Sequence, residues 1–336
     1  MCIRDRTKIA DLNDIIASRL RRLTILLEEL NEMVEKHGDE RRSYIDPMPL
    51  SMDREDLIEE RAIAITLSED NYIRHLPVEA FRVQNRGGKG LKGVTTKEED
   101  TPQLIITCFS KDRLLIFTDQ GRVYGLKAWE TPLGSRLSRG SHIRNLLESL
   151  RDDENIVSIL PISRELLENP AGNYLLFATR MGLIKKTKLE EYVRINRNGK
   201  YALRFKLDGD SLVNVRSGTD DADIVMISST GFASRFACAG IRASGRVSGG
   251  VYGIKTGNRK GADGGHVVAM IATENPETNI LTITKNGMAK RSRLGTAERL
   301  PIMNEDGSQR LHKETNEPMF KTDGYRKTRP GAKGAF

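Results

Sequence analysis

Seven consecutive residues, Gln84-Asn85-Arg86-Gly87-Gly88-Lys89-Gly90, have the composition of a phosphate grip. Glycines without a Cβ let backbone N–H groups come close to an anion, Arg86 and Lys89 add charge, and Gln84 and Asn85 add neutral hydrogen bonds. Contacts of this kind hold a polyanion's backbone without reading its bases. The overlapping run Gly88-Lys89-Gly90-Leu91-Lys92-Gly93 also fits GxGxxG, but a dinucleotide loop must open a helix, and Val94-Thr95-Thr96 with the charged stretch to Pro102 starts one poorly. No GK[ST] follows, which excludes a Walker A loop. His37, His75, His142, His266 and His312 stand alone, without metal-ligand spacing or a Ser/His/Asp pattern, so the chain offers no catalytic constellation.

A second set of basic residues recurs with the chain's own period. A unit of some 50 to 60 residues repeats, each copy holding an apolar run, a short polar turn and a second run that alternates apolar with basic or small residues. The copies are Ala62 to Thr66 turning at Asp70-Asn71, Leu114 to Thr118 turning at Gln120-Gly121, Leu175 to Thr179 turning at Gly182, Ile224 to Ser228 turning at Gly231, and Ile280 to Thr284 turning at Asn286-Gly287. Tight hairpin turns require positive φ, which glycine adopts freely and asparagine tolerates, so five β-hairpins are expected. Just past each turn stands a cation: Arg74, Arg122, Lys185 with Lys186, Arg235, and Lys290 with Arg291. Five copies in register point to a shared anionic partner along one edge of the units. Gly/basic segments follow the hairpins, at Arg139-Gly140, Asn198-Gly199-Lys200, Gly245 to Gly250 and Arg329 to Gly334.

Ahead of the repeats, Leu12, Ile16, Leu20, Leu23, Leu27, Leu30 and Val34 are spaced by threes and fours, one apolar stripe on a helix that Gly38 ends. Residues 41–60 are charged and carry Pro47 and Pro49, the composition of a linker, with a boundary near Asp53. The expected organisation is a helical segment over 1–40, a linker over 41–60 and a mainly β domain over 61–336. The 336 residues carry a net charge of +8, and 38% are apolar, 5% aromatic and 30% charged, a profile that suits a repeat or propeller architecture with much surface per residue. The charge makes nucleic acid a plausible partner class. No run is long and apolar enough for a membrane span, and Cys2, Cys108 and Cys238 are too scattered for a disulfide framework or a zinc site, which fits a cytoplasmic location. Both ends read as cut edges: Met1 to Arg6 has no signal-like apolar region, and the chain stops within a Gly/Lys-rich segment.

Gln84 to Gly90 closely resembles the seven-residue box QRRGGKG that distinguishes the DNA gyrase A family from its topoisomerase IV relative; Asn85 stands where that family usually has arginine, one charge fewer. Lys36 to Arg42 is similar to the end of that family's long coiled-coil arm, and the five hairpins resemble blades of its β-pinwheel, a propeller-like disc whose blades exchange strands. The resemblance implies a disc of six blades, with the sixth beginning after Phe336. It further implies binding of double-stranded DNA and its positive, right-handed wrapping, within an ATP-dependent type II topoisomerase, an isomerase that introduces negative supercoils. The implied partners are a second A-type protomer and the gyrase B protein, joined in an A2B2 heterotetramer, in the bacterial cytoplasm at the nucleoid. The catalytic tyrosine belongs to an upstream region of that family, and ATP and magnesium to other parts of the holoenzyme, so no cofactor is expected in this stretch. On this reading the box, Gln84, Asn85, Arg86, Gly87, Gly88, Lys89 and Gly90, sets the topology of wrapping, while the hairpin cations supply most of the affinity. Two readings compete: a topoisomerase IV A-type protein, whose disc lacks or degrades the box, and a non-enzymatic β-propeller scaffold, which would show no salt-dependent DNA binding.

Overall fold

Period-two alternation sends successive strand residues to opposite faces, and here both faces are buried, which is why the hairpin strands read as unbroken apolar runs. A computed structural model of the chain describes residues 3–39, 43, 55, 57–81, 101–135, 138–147, 149–256, 265–303, 309–310 and 318–334. Its strands, in chain order, are β1 (Ala62–Ser68), β2 (Tyr72–Pro77), β3 (Pro102–Phe109), β4 (Arg113–Thr118), β5 (Arg122–Lys127), β6 (Ser141–His142), β7 (Ile156–Ile162), β8 (Tyr174–Thr179), β9 (Leu183–Lys188) and β10 (Lys200–Tyr201). They continue with β11 (Leu212–Gly218), β12 (Asp223–Ser228), β13 (Ala233–Ala237), β14 (Val251–Tyr252), β15 (Val267–Thr273), β16 (Asn279–Ile283), β17 (Ala289–Arg293), β18 (Arg299–Pro301) and β19 (Phe320–Thr322).

All five expected hairpins are present as the antiparallel pairs β1–β2, β4–β5, β8–β9, β12–β13 and β16–β17. Each turn carries its positive φ where the sequence placed it, at Asn71 (62°), Gly121 (75°), Gly182 (91°), Gly231 (84°) and Gly287 (80°). The sheets have the orders β3-β1-β2-β6, β10-β5-β4-β7, β11-β8-β9-β14 and β13-β12-β15, with β16-β17 as a pair. The first three blades each borrow a strand. β6 follows the second hairpin yet pairs with β2 of the first; β10 follows the third and pairs with β5; β14 follows the fourth and pairs with β9. Strands β7, β11 and β15 approach one another across sheets, so these edges converge while the borrowed strands form the opposite, peripheral edges. The short β18–β19 hairpin falls in the stretch between Leu294 and Tyr325, where the sequence shows no repeat pattern.

The core lies in the seams between blades. Leu114 and Ile116 pack toward Ile63, Ile65 and Ile73 of the first blade, while their neighbours Leu115 and Phe117 pack toward Leu175 and Phe177 of the third. Leu176 and Ala178 then face Ile224 and Met226 of the fourth. At the last seam only Val225, Ile280 and Leu294 are fully enclosed among the described residues.

The chain divides into the units Met1–Asp53 and Arg54–Phe336. The first holds helices α1 (Ile3–Ala17) and α2 (Arg19–His37) rather than one continuous helix. Ser18 interrupts it in an extended conformation, its hydroxyl accepting from the Arg21 amide at 3.3 Å as the N-cap of α2, a role short polar residues take at the expense of helix continuation. Gly38 caps α2 through its amide to Val34 O at 2.7 Å, in an extended rather than a left-handed conformation. Neither helix buries a residue, so the apolar stripe from Leu12 to Val34 is exposed.

Candidate nucleic-acid interface

The hairpin cations do not form an exposed rim, which corrects the sequence-based expectation for Arg74, Lys185, Lys186 and Arg235. Their exposures are 1%, 1%, 3% and 1%. Each side chain runs into a seam and donates to at least one acceptor of the following blade. Arg74 Nη1 donates to Ser135 O at 2.7 Å and to Ser138 O, in the segment after β5. Lys185 Nζ donates to Arg246 O, after β13, and to Ala202 O at 2.6 Å. Lys186 Nζ reaches Cys238 O at 3.2 Å and the Asp220 carboxylate. Arg235 Nη1 donates to Leu294 O and Gly295 O, both at 2.8 Å, and to Tyr325 O at 3.0 Å, while Nη2 pairs with Asp223 at 2.5 Å. Arg122 is largely enclosed: it pairs with Glu154 at 2.9 Å and donates to Asn198 O at 3.4 Å, after β9. Arg113, which the sequence pattern did not single out, adds bonds to Val193 O at 2.8 Å and to Ile195 O.

The physical reason is a carbonyl deficit. The segments that cross between blades make few ladder bonds, so their inward carbonyls need donors, and a long cationic side chain supplies several from one position. The aliphatic stems meanwhile pack with the core, as Lys185 does beside the Phe177 ring, its Nζ 4.9 Å from the centroid. Burial, and after it the Arg246 guanidinium, bring the Lys185 ammonium down to about 7, with Glu191 opposing. These cations are clasps. Lys290 and Arg291 of the fifth hairpin differ, being exposed on β17.

What remains on the periphery is the crossing segments themselves. Residues 131–145, 193–207, 241–256 and 325–334 together contain fifteen Lys and Arg and not one Asp or Glu, whereas the whole chain has 54 and 46. That asymmetry was readable in the sequence, but only strand exchange shows that these stretches supply the peripheral edges. Lys200, Arg204, Lys206, Arg242, Lys255 and Arg329 are among the exposed members. Lys185, Lys186, Lys206, Arg242, Ser244 and the Gly249-Gly250 backbone line a cleft of about 480 Å³ beside β14. Glycine is required where each segment passes its neighbour. Gly140 (φ +85°) and Gly250 (φ +77°) sit where a Cβ would fall 2.4 Å from Ile73 O and 2.5 Å from Ile184 O. The Gly/basic segments after the later hairpins thus serve as the crossing strands.

Gln84, Asn85, Arg86, Gly87, Gly88, Lys89 and Gly90 lie outside the described residues. In sequence, Arg86 and Gly90 repeat the spacing of Arg136 with Gly140 and Arg246 with Gly250, and residues 81–93 likewise carry four cations and no carboxylate.

A family profile described as DNA gyrase C-terminal domain, beta-propeller, matches residues 63–101, 112–163, 173–217, 222–274 and 278–296. The DNA gyrase A protein of Staphylococcus epidermidis is 40% identical over 286 residues, 84% of this chain and 31% of that protein. Its counterpart in Staphylococcus aureus is 38% identical over the same lengths. The chain thus spans 31% of the length of these curated relatives. A solved DNA gyrase A C-terminal domain superposes with a TM-score of 0.57 at 20% identity, covering 82% of this chain and 76% of that one. For a topoisomerase IV C-terminal domain the TM-score is 0.54 at 20% identity, with 83% and 89% covered. At that identity the likeness is one of fold.

Proposed function

Because the chain belongs to the DNA gyrase C-terminal β-propeller family, we propose that Arg54–Phe336 binds double-stranded DNA along its exchanged-strand edge and wraps it in the positive sense. The observation that carries this reading is the charge of the crossing segments, fifteen cations without a carboxylate. Bending a 20 to 30 base-pair stretch by 40 to 90° costs on the order of 1 to 6 kcal/mol, and longer wraps cost more. A few cations in one loop cannot offset that, whereas a file of cations repeated from blade to blade can, each phosphate neutralised adding roughly 0.9 to the salt dependence.

In this reading Gln84 to Gly90 fixes the topology of the wrap, the crossing segments hold the DNA, and Lys290 and Arg291 extend the basic surface at the last hairpin. The whole enzyme is a DNA gyrase, with two A-type and two B-type protomers and negative supercoiling driven by ATP, acting in the cytoplasm on the nucleoid. Among the described residues no group of three His, Cys, Asp or Glu side chains could hold a metal ion.

The test is topological. A nicked plasmid is bound by the chain, religated and freed of protein; a positive shift in linking number is the expected result. Tight binding without any shift would leave a DNA-binding propeller and remove the wrapping function.

A further inference from the structure

The borrowed strands are each two residues long, and the second residue of every one is aromatic: His142 in β6, Tyr201 in β10 and Tyr252 in β14. Their register is identical. Each pairs with the first residue after a hairpin turn: His142 with Tyr72, Tyr201 with Arg122, and Tyr252 with Leu183. The residue after each ring then donates its amide to the carbonyl of the positive-φ turn residue: Ile143 to Asn71 at 2.9 Å, Ala202 to Gly121 at 2.8 Å, and Gly253 to Gly182 at 2.9 Å. Three blades therefore hold a ring at one fixed place on the peripheral edge. Phe336 follows Gly334 by the same two residues that separate Tyr252 from Gly250, in a part of the sequence outside the described residues.

Core packing does not account for these rings. Tyr201 is 53% exposed and Tyr252 45%, and neither hydroxyl has a hydrogen-bond partner among the described residues. His142 is the contrast, held edge-on against the Tyr72 ring at 5.3 Å. Both tyrosines lie within crossing segments that contain only cations among their charged residues, Tyr201 between Lys200 and Arg204, and Tyr252 between Arg246 and Lys255. An exposed phenol beside phosphate-directed cations has two uses for bent duplex DNA. Its ring can pack on deoxyribose or a partly opened base step, and its hydroxyl can donate to a phosphate oxygen.

Resting on the DNA-binding reading above, we propose that Tyr201 and Tyr252 are direct DNA contacts, supplying the part of the affinity that salt does not screen and spacing the duplex on successive blades. Cations govern the slope of affinity against salt; a neutral ring leaves that slope alone and shifts the whole line.

The test compares the chain with Tyr201→Ala/Tyr252→Ala, Tyr201→Phe/Tyr252→Phe and Lys200→Ala/Lys206→Ala on a linear duplex of about 150 base pairs, one persistence length of DNA. Affinity is measured over a series of salt concentrations. The alanine pair should bind roughly fivefold more weakly per ring at every salt concentration with the parental slope, the size of one net hydrogen bond with part of an apolar contact. The phenylalanine pair should recover part of that loss, while the lysine pair flattens the slope. Parental affinity in the alanine pair, or a flattened slope, overturns the proposal while leaving DNA binding intact. Absence of salt-dependent binding by the parent chain would instead overturn the reading on which it rests. Both rings are half exposed, so unchanged melting temperatures are expected and separate a lost contact from a lost fold.

Discussion

Replacing Lys200, Arg204 and Lys206 together by alanine separates the exposed crossing segments from the buried clasps as the source of DNA affinity. Lys200 Nζ donates to Arg194 O at 3.0 Å and Lys206 Nζ to Gly250 O at 2.5 Å. An ammonium has three N–H donors, so both retain two for phosphate. Arg204 is exposed on the same segment. If each touches one phosphate, the slope of log K against log salt flattens by about 2.7. Since the electrostatic contribution fades near 1 M salt, that slope corresponds to about 500-fold weaker binding at 0.1 M. Fluorescence anisotropy with a labelled duplex, repeated at several salt concentrations, measures both quantities. The control is Arg74→Met, which removes a cation of the first hairpin from a buried seam. It should lower the melting temperature and leave the slope unchanged. An unaltered slope in the triple variant, or a flattened one in a folded Arg74→Met protein, would refute the assignment of the crossing segments as the interface.

Other perturbations test the clasps. Arg235→Met takes a shared donor from three carbonyls and leaves Asp223 with Lys327 as its remaining cation, and breaking a buried pair of this kind costs about 3 to 5 kcal/mol; hydrogen exchange should show protection lost first around Leu294 and Tyr325. Folded Lys185 sheds its proton near 7, whereas an unfolded lysine holds it to about 10.4. The unfolded chain therefore binds the extra proton between those values and stability should rise with pH across that window, a rise that Lys185→Met abolishes in denaturant titrations. Gly250→Ala meets both a left-handed backbone and the Ile184 carbonyl and should cost more than the roughly 1 to 3 kcal/mol of backbone strain alone, read as a drop in denaturation midpoint. Gly172→Ala, with a φ of +78° and open space around it, should show the strain only.

The hairpins were legible because their turns impose a local demand: positive φ at Asn71, Gly121, Gly182, Gly231 and Gly287 selects residue types visible in the sequence. Burial of the cations was not legible. Alternation assigns Arg74 and Lys185 to a strand face, but nothing local says that this face meets another blade or that a crossing loop presents carbonyls there. Arg113 was missed for the same reason, since its acceptors at Val193 and Ile195 lie 80 and 82 residues away. The helix break at Ser18 turned on a single cap competing with a continuous apolar stripe, and the stripe is the stronger pattern to the eye. The interface was half legible: the missing carboxylates are in the sequence, and their common edge comes only from strand exchange.

Strand exchange also decides how mechanical load travels. On the proposed wrapping, a duplex bent around the periphery would pull outward on short segments such as β10, and β10 is anchored twice. Covalently it belongs to the third blade, and its ladder bonds run to β5 of the second. Tension on one contact is thus divided between two neighbouring sheets and pulls them together, with Arg122 and Arg113 fastening the same segment from within. A propeller whose outer strands stayed in their own blades would let the same tension peel one blade from the ring. Here a tighter bend would tighten the joints.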